Sequence, residues 1–150
     1  MKKCILPSIF AFGLLVSCNN DDNSSIDNES IVGTWSFVKY QTQFSKDNHI
    51  EDEEIDACEE KNTLTFSKDN KYSLITYSAD NSGKCVVEDN IDNVTYKVTN
   101  KTLIIDWGND EIHEAEIVKL TKNELILKSD YDEDLDEDGK NEIEFLHLKR

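Results

Sequence analysis

The fold of this chain is decided by Ile-Val-Gly-Thr-Trp-Ser-Phe-Val-Lys-Tyr, residues 31–40. This stretch predicts a first β-strand that begins at a Gly-x-Trp step. Gly33 allows another segment of backbone to come close, and Trp35 supplies a very large apolar surface. We therefore expect the strands that follow to close around Trp35.

After residue 62, short runs of alternating apolar and polar residues are separated by short polar turns. Such alternation is typical of β-strands with one buried face. With the strand at Trp35, these runs predict eight strands, the other seven over residues 63–67, 71–77, 94–99, 102–107, 111–120, 124–129 and 142–149. Apolar residues predicted to share one face of their strand are Leu64, Phe66, Tyr72, Leu74, Val94, Tyr96, Val98, Leu103, Ile105, Trp107, Ala115, Ile117, Leu125 and Leu127.

Short turns join only neighbouring antiparallel strands, so this order of elements favours a meander. An open meander exposes two edges, whereas closure into a barrel removes both. We therefore predict an all-β domain over residues 31–150, an eight-stranded antiparallel up-and-down barrel, with two packed sheets as the alternative. The interior of such a barrel is filled by side chains or holds one small ligand.

The N-terminal segment predicts an exported lipoprotein. Residues 1–17 combine two lysines with an apolar run too short to span a bilayer, which is typical of a signal peptide. The motif Leu15-Val16-Ser17-Cys18 resembles the bacterial lipobox, which implies cleavage before Cys18 and attachment of acyl chains such as palmitate. An ordinary secretory signal is the alternative. Residues 18–30 are almost entirely Asn, Asp, Ser and Glu, and this composition predicts a flexible acidic tether.

A lipid on Cys18 predicts that the protein is held on the outer membrane of the cell envelope. Asp21-Asp22 resembles the acidic surface-export signal of Bacteroidetes-type lipoproteins, although a solvated linker would be acidic anyway. Surface-exposed and periplasm-facing positions therefore both remain open.

The composition argues against several functions. The chain has 32 Asp and Glu against 16 Lys and Arg, a formal net charge of −16. Such a body repels phosphates, so we expect no nucleic acid partner. The sequence has no Gly-x-Ser-x-Gly, phosphate-binding glycine loop or His-Glu-x-x-His, and His49, His113 and His147 are scattered. We predict a monomeric barrel with no catalytic residues and no cofactor.

Several motifs follow one another in order: the lipobox, a polar tether, Gly33-Thr34-Trp35 at the first strand, a cysteine before the second strand, a Leu-Thr-Phe strand, and Leu-His-Leu-Lys-Arg at 146–150. In this order they resemble the lipocalin-like domain family of Bacteroidetes-type lipoproteins, over roughly residues 30–150. The resemblance implies a basic residue near the last strand that packs over Trp35. By position this residue is Arg150 or Lys149, so Gly33, Trp35 and Arg150 form the predicted floor of the barrel. A cation–π contact would hold them, and the alternative is that both basic residues are solvated.

Four cysteines occur, of which Cys4 lies in the predicted signal peptide and Cys18 carries lipid. A hairpin over residues 62–77 would place the segments on either side of it at one end. Cys58 and Cys85 are then neighbours, and we predict a disulfide between them. Metal ligation or two free thiols are the alternatives.

Two acidic clusters stand out. Residues 51–56 lie between the first two predicted strands, either as a solvated loop or as a lid over the open end of the barrel. Such an acidic lid would disfavour carboxylate ligands such as fatty acids and favour neutral or cationic ones. In the second cluster, Asp134, Asp136, Asp138 and Gly139 match the opening of a calcium loop. The EF-hand pattern then fails, because its twelfth position is Phe145, but Glu142 or Glu144 can replace that ligand in another geometry. The alternative is a hairpin loop closed at Asp138-Gly139.

The functional prediction is a lipid-anchored, non-catalytic barrel that binds a small apolar or neutral molecule. Its ligand would enter opposite the Trp35 floor, beneath residues 51–60. The alternative is an interaction module with a filled barrel, which contacts a protein or glycan through its acidic loops, with or without calcium.

Overall fold

The computed structural model describes residues 28–150. The predicted signal peptide, the lipidation site at Cys18 and most of the predicted tether lie outside the described residues. The tether was expected to reach residue 30, but a short helix, α1 (Asn28–Ile31), already begins within it. No helix in the described part of the chain is long and apolar enough to cross a membrane.

Nine strands follow α1. They are β1 (Gly33–Gln43), β2 (Ile50–Glu54), β3 (Thr63–Phe66), β4 (Lys71–Ala79), β5 (Cys85–Thr99), β6 (Thr102–Gly108), β7 (Glu111–Leu120), β8 (Glu124–Asp130) and β9 (Ile143–Lys149). One turn of 3-10 helix (Glu59–Lys61) precedes β3.

The strands form one antiparallel sheet that closes on itself. Strands β3 to β8 each pair with the next strand along the chain, and β9 pairs back with β1. The first half of β1 pairs with β3 and its second half pairs with β2, so β2 and β3 share one edge of β1. Eight strands, β1 and β3 to β9, therefore complete a barrel. The predicted barrel is confirmed, and the alternative of two packed sheets is wrong.

Two parts of the sheet were not predicted. The acidic residues 50–54 form β2, where a loop was expected, and β5 begins at Cys85 rather than at residue 94. All five side chains of β2 are exposed, so this strand has no buried face to produce alternation. Its position is fixed by Asp52, which accepts hydrogen bonds from Lys39 Nζ (2.8 Å) and Gln41 Nε2 (2.6 Å) on β1.

The core fills the end of the barrel where β1 begins. Trp35 is completely buried, and its indole Nε1 donates to the carbonyl of Ile31 in α1 at 2.9 Å. The largest side chains buried around it are Phe66, Leu103, Ile117, Leu125 and Leu148. This end of the barrel is therefore closed and dry.

Cys58 and Cys85 form the predicted disulfide, with their Cα atoms 5.2 Å apart. Cys58 directly precedes the 3-10 turn and Cys85 opens β5, where it pairs with Ala79 of β4. The bridge therefore ties the connection before β3 to the far end of the long β4–β5 hairpin.

Candidate functional site

The closed end of the barrel brings together the three predicted floor residues. The Arg150 guanidinium carbon lies 4.2 Å from the centroid of the Trp35 ring. Its Nη1 donates to the carbonyl of Val32, and its Nε donates to the carbonyl of Lys122, both at 2.6 Å. A Cβ added to Gly33 would lie 2.7 Å from Arg150 Nη1, and the φ of Gly33 is +140°. Glycine at 33 therefore leaves the space that the guanidinium occupies.

Above the core, the barrel interior widens into a cavity of about 710 Å³. This volume lies within the range of small-molecule sites. Its apolar wall comprises Phe37, Leu64, Tyr72, Leu74, Leu103, Ile105, Ala115, Leu127 and Leu146. The residues nearest the opening belong to the ends of strands opposite the Trp35 floor, as with Tyr40 in β1 and Thr76 in β4. The cavity is thus closed at one end and open at the other.

The barrel wall also has a slot between β7 and β8. These two strands pair only from Glu116, opposite Lys128, to Leu120. Residues 111–115 of β7 pair with β6 on one side and, among residues 28–150, have no strand partner on the other. Glu114 and Asp130 lie at the slot, where they line both the cavity and an outer groove of about 240 Å³.

Carboxylates gather at the open end of the cavity. Glu114, Asp130, Asp132 and Glu144 line it, whereas among residues 28–150 no Lys or Arg does. Burial raises the pKa of Glu144 above its ordinary value, and the charge of Glu53 raises it further. Burial also raises the pKa of Tyr40 and of Tyr72, so both phenols stay protonated at neutral pH.

The predicted acidic lid lies beside the cavity and not in its lining. None of residues 51–60 lines the cavity, because β2 and the 3-10 turn pack beside β1. The carboxylates that line the opening come from β7, β8, β9 and the β8–β9 loop, while Glu53 of β2 lies near enough to raise the pKa of Glu144. Sequence reasoning missed Glu144 as a member of this site. Its signal was its spacing from Leu146 and Leu148, since side chains two residues apart in a strand share a face.

The predicted calcium residues are partly brought together. One carboxylate oxygen from each of Asp134, Asp136 and Asp138 lies within 4.8 Å of the others. The same carboxylates accept hydrogen bonds within the loop and from the β1–β2 connection. Asp134 accepts from the backbone N–H of Gly139 at 2.8 Å, and Asp138 accepts from Ser45 Oγ at 2.8 Å. These bonds order the loop, and calcium binding there stays a prediction.

Glu142, the fourth predicted ligand, does not join the three aspartates. It is completely buried. Its Oε2 accepts from the backbone N–H of Ser45 at 2.6 Å and its Oε1 accepts from that of Leu135 at 3.2 Å. Both oxygens hold the β1–β2 connection against the β8–β9 loop, and Glu142 lies outside the cluster of the three aspartates, so its role as a metal ligand stays a prediction.

Comparison with known proteins identifies a family and similar solved structures. A family model described as a lipocalin-like domain matches residues 31–127. The structure is similar to that of a bovine odorant-binding protein, a deswapped triple mutant, with a TM-score of 0.41 and 15% identity, over 81% of this chain and 74% of that one. No curated protein matches this chain.

Proposed function

Because this chain belongs to the lipocalin-like domain family, we propose that its barrel binds a small, mostly apolar molecule and performs no chemistry of its own. The observation that carries this proposal is the cavity of about 710 Å³ between a closed floor and an open end. An apolar ligand that leaves water for such a wall gains about 25 cal/mol for each Å² of apolar surface buried.

The two halves of the interior support different roles. Aromatic and aliphatic side chains fill the half around Trp35, where Phe66 lies 5.0 Å from Tyr96 between ring centroids. In the other half the walls remain apolar but stand apart. The filled half therefore stabilises the fold, and the open half is available to a ligand.

Contacts of the histidines support a non-catalytic role. Within residues 28–150, His49 contacts Asp47 and Glu51, and His147 contacts Gln41. His113 contacts the Glu111 carboxylate and the edge of Trp107. Within this part of the chain, none of the three is hydrogen-bonded to a serine, threonine or cysteine that it could activate as a nucleophile.

We further propose that acyl chains on Cys18 hold the barrel on the outer membrane, facing either the periplasm or the cell surface. The chain enters the barrel through α1, which is bonded to Trp35 at the closed end. An anchor attached there leaves the open end of the cavity on the side away from the attachment point. A ligand would then be taken from the aqueous phase.

A substitution that fills the cavity tests the proposal. Ala115 lines the cavity on β7, whereas Val118 on the same strand is 47% exposed. Binding of the neutral fluorophore N-phenyl-1-naphthylamine should be saturable and should weaken about tenfold or more in Ala115→Phe, a loss of about 1.4 kcal/mol. Val118→Phe, the matched control, should bind as the native protein does.

Native mass spectrometry of the protein extracted from its host should in addition show a co-purified small molecule. No saturable binding, or equal weakening in both variants, would overturn the proposal. An empty barrel with no probe binding would favour the alternative, an interaction module that contacts a protein or glycan through its acidic loops.

A further inference from the structure

We infer that the ligand is an amphiphilic cation, with an apolar body in the cavity and a positively charged nitrogen at its open end. This inference rests on the proposed binding function and adds the charge of the ligand. It follows from where the cavity places its polar groups and from what those groups contact.

Polarity in the cavity is segregated along the barrel axis. The deeper wall is aliphatic and aromatic, with Leu64, Leu103 and Leu127 among its residues. Toward the opening, the ionisable lining residues are four carboxylates, one histidine and the Tyr40 phenol. A neutral apolar ligand would use only the deep wall, whereas a cationic amphiphile matches both parts.

Glu144 is a partly buried carboxylate in the lining of the cavity. In the ladder it stands opposite Ser129, and it shares the inward face of β9 with Leu146 and Leu148. In the described part of the chain, its carboxylate forms no hydrogen bond or ion pair. A partly buried carboxylate without partners loses hydration that nothing replaces, so a cation bound beside it recovers free energy.

No Lys or Arg of residues 28–150 lines the cavity. Lysines that form ion pairs do so elsewhere: Lys39 pairs with Asp52 at 2.8 Å, Lys128 pairs with Glu116 at 3.4 Å, and Lys140 lies 3.5 Å from Asp138. Within the described residues no Lys or Arg forms an ion pair with Glu144, which leaves the space beside its carboxylate to the charged nitrogen of a ligand.

The β7–β8 slot gives a charged nitrogen a path. Glu114 and Asp130 at the slot belong to the same cavity as Glu144. Carboxylates along a cleft raise the local concentration of cations and repel anions. The formal net charge of −16 adds to the attraction of cations at longer range.

Three ligands with the same apolar body separate charge from hydrophobicity. Decylammonium, 1-decanol and decanoate, each below its micelle concentration, would displace N-phenyl-1-naphthylamine from the full chain carrying Cys18→Ser, which prevents lipidation. At pH 7 and low salt, we expect decylammonium to bind about tenfold more tightly than 1-decanol and decanoate to bind most weakly, because an ion pair in a partly buried site is worth about 1.4 kcal/mol or more.

Two variants locate the effect. Glu144→Gln keeps the shape of the side chain and should reduce the preference for decylammonium over 1-decanol to about threefold or less. Glu88→Gln, on an exposed part of β5, is the control and should leave this preference unchanged. A melting temperature within a few degrees of the native one would show that both fold, and Asp132→Asn provides a second test at the opening should Glu144→Gln not fold.

Each outcome has one meaning. If 1-decanol binds as tightly as decylammonium, or if both carboxyl variants keep the native preference, the inference of a cation held at Glu144 is overturned and the proposed function stands. If neither the probe nor any of the three ligands binds, the proposed function itself fails.

Discussion

Replacing Arg150 with alanine should remove three contacts from the closed end of the barrel at once. The guanidinium lies over the Trp35 ring at 4.2 Å. It also donates to the carbonyls of Val32 and Lys122, each at 2.6 Å. These carbonyls belong to the entry into β1 and to the β7–β8 turn, so one side chain joins three segments of the chain.

The size of the effect follows from these contacts. A cation–π contact at an exposed site contributes about 0.5–1 kcal/mol, and a hydrogen bond contributes a net of about 0.5–1.5 kcal/mol. Because Arg150 is exposed, solvent takes over part of each contact, and we expect a loss of roughly 2 kcal/mol in the free energy of unfolding. Arg150→Lys should fall between the two, because lysine keeps the charge but loses the planar fork of donors.

Urea unfolding followed by tryptophan fluorescence would measure the loss. Lys149→Ala is the control, because Lys149 is the exposed neighbour of Arg150 and the other basic residue that was considered for this role. Gly33→Ala should destabilise through its positive φ and its approach to Nη1, and part of that cost should vanish when Arg150 is alanine. A change of less than about 0.5 kcal/mol in Arg150→Ala, typical of ordinary surface positions, would refute the reasoning.

Three further predictions concern stability. The double substitution Cys58→Ser and Cys85→Ser should cost about 3.5 kcal/mol in the chain-entropy model for its separation of 27 residues; an unchanged melting temperature would contradict it. Glu142→Ala strips two backbone N–H groups of a charged acceptor, and urea unfolding should show a loss of about 3 kcal/mol, where an effect as small as that of an exposed glutamate would be contrary to the structure. Burial raises the pKa of Glu144, so the folded state binds the carboxyl proton of Glu144 more tightly than the unfolded state does. The free energy of unfolding therefore falls as pH rises from the pKa of the unfolded state through the raised pKa of the folded state. Glu144→Gln should therefore be more stable than the native protein near pH 7 and should lose that advantage below about pH 4, and equal stability at both pH values would argue against it.

The strands of the closed half could be predicted from the sequence for a physical reason. Inward positions there must be apolar, because the side chains pack against one another and leave their neighbours no polar partner. Leu64, Phe66, Leu103, Ile117 and Leu125 all stand at predicted inward positions, and all are buried. Period-2 alternation was therefore sufficient to predict both the strands and the barrel.

Alternation of apolar and polar residues does not predict a strand where that strand extends beyond the barrel wall. Strand β2 and the first part of β5 are exposed on both faces or nearly so. Val86 and Val87 lie side by side in β5, each more than a third exposed, and pair only with β4. With no buried face there is no alternation, and the strand is set by its hydrogen-bonded neighbour alone.

The candidate site depends on a distinction that the sequence does not contain. Glu142 and Glu144 are two residues apart in one acidic segment. Glu142 accepts from two backbone N–H groups, whereas Glu144 faces the cavity and has no hydrogen-bond partner within residues 28–150. The donor that decides this for Glu142 is the N–H of Ser45, 97 residues away in the chain. In a chain with 32 Asp and Glu, the number of carboxylates in a segment therefore does not show which of them binds a ligand. What separates a structural carboxylate from one able to hold a ligand is whether folding has already supplied its hydrogen-bond donors. For the Glu144 carboxylate, which faces the cavity, it has not done so within residues 28–150, and we therefore infer that a bound cation lies beside this side chain.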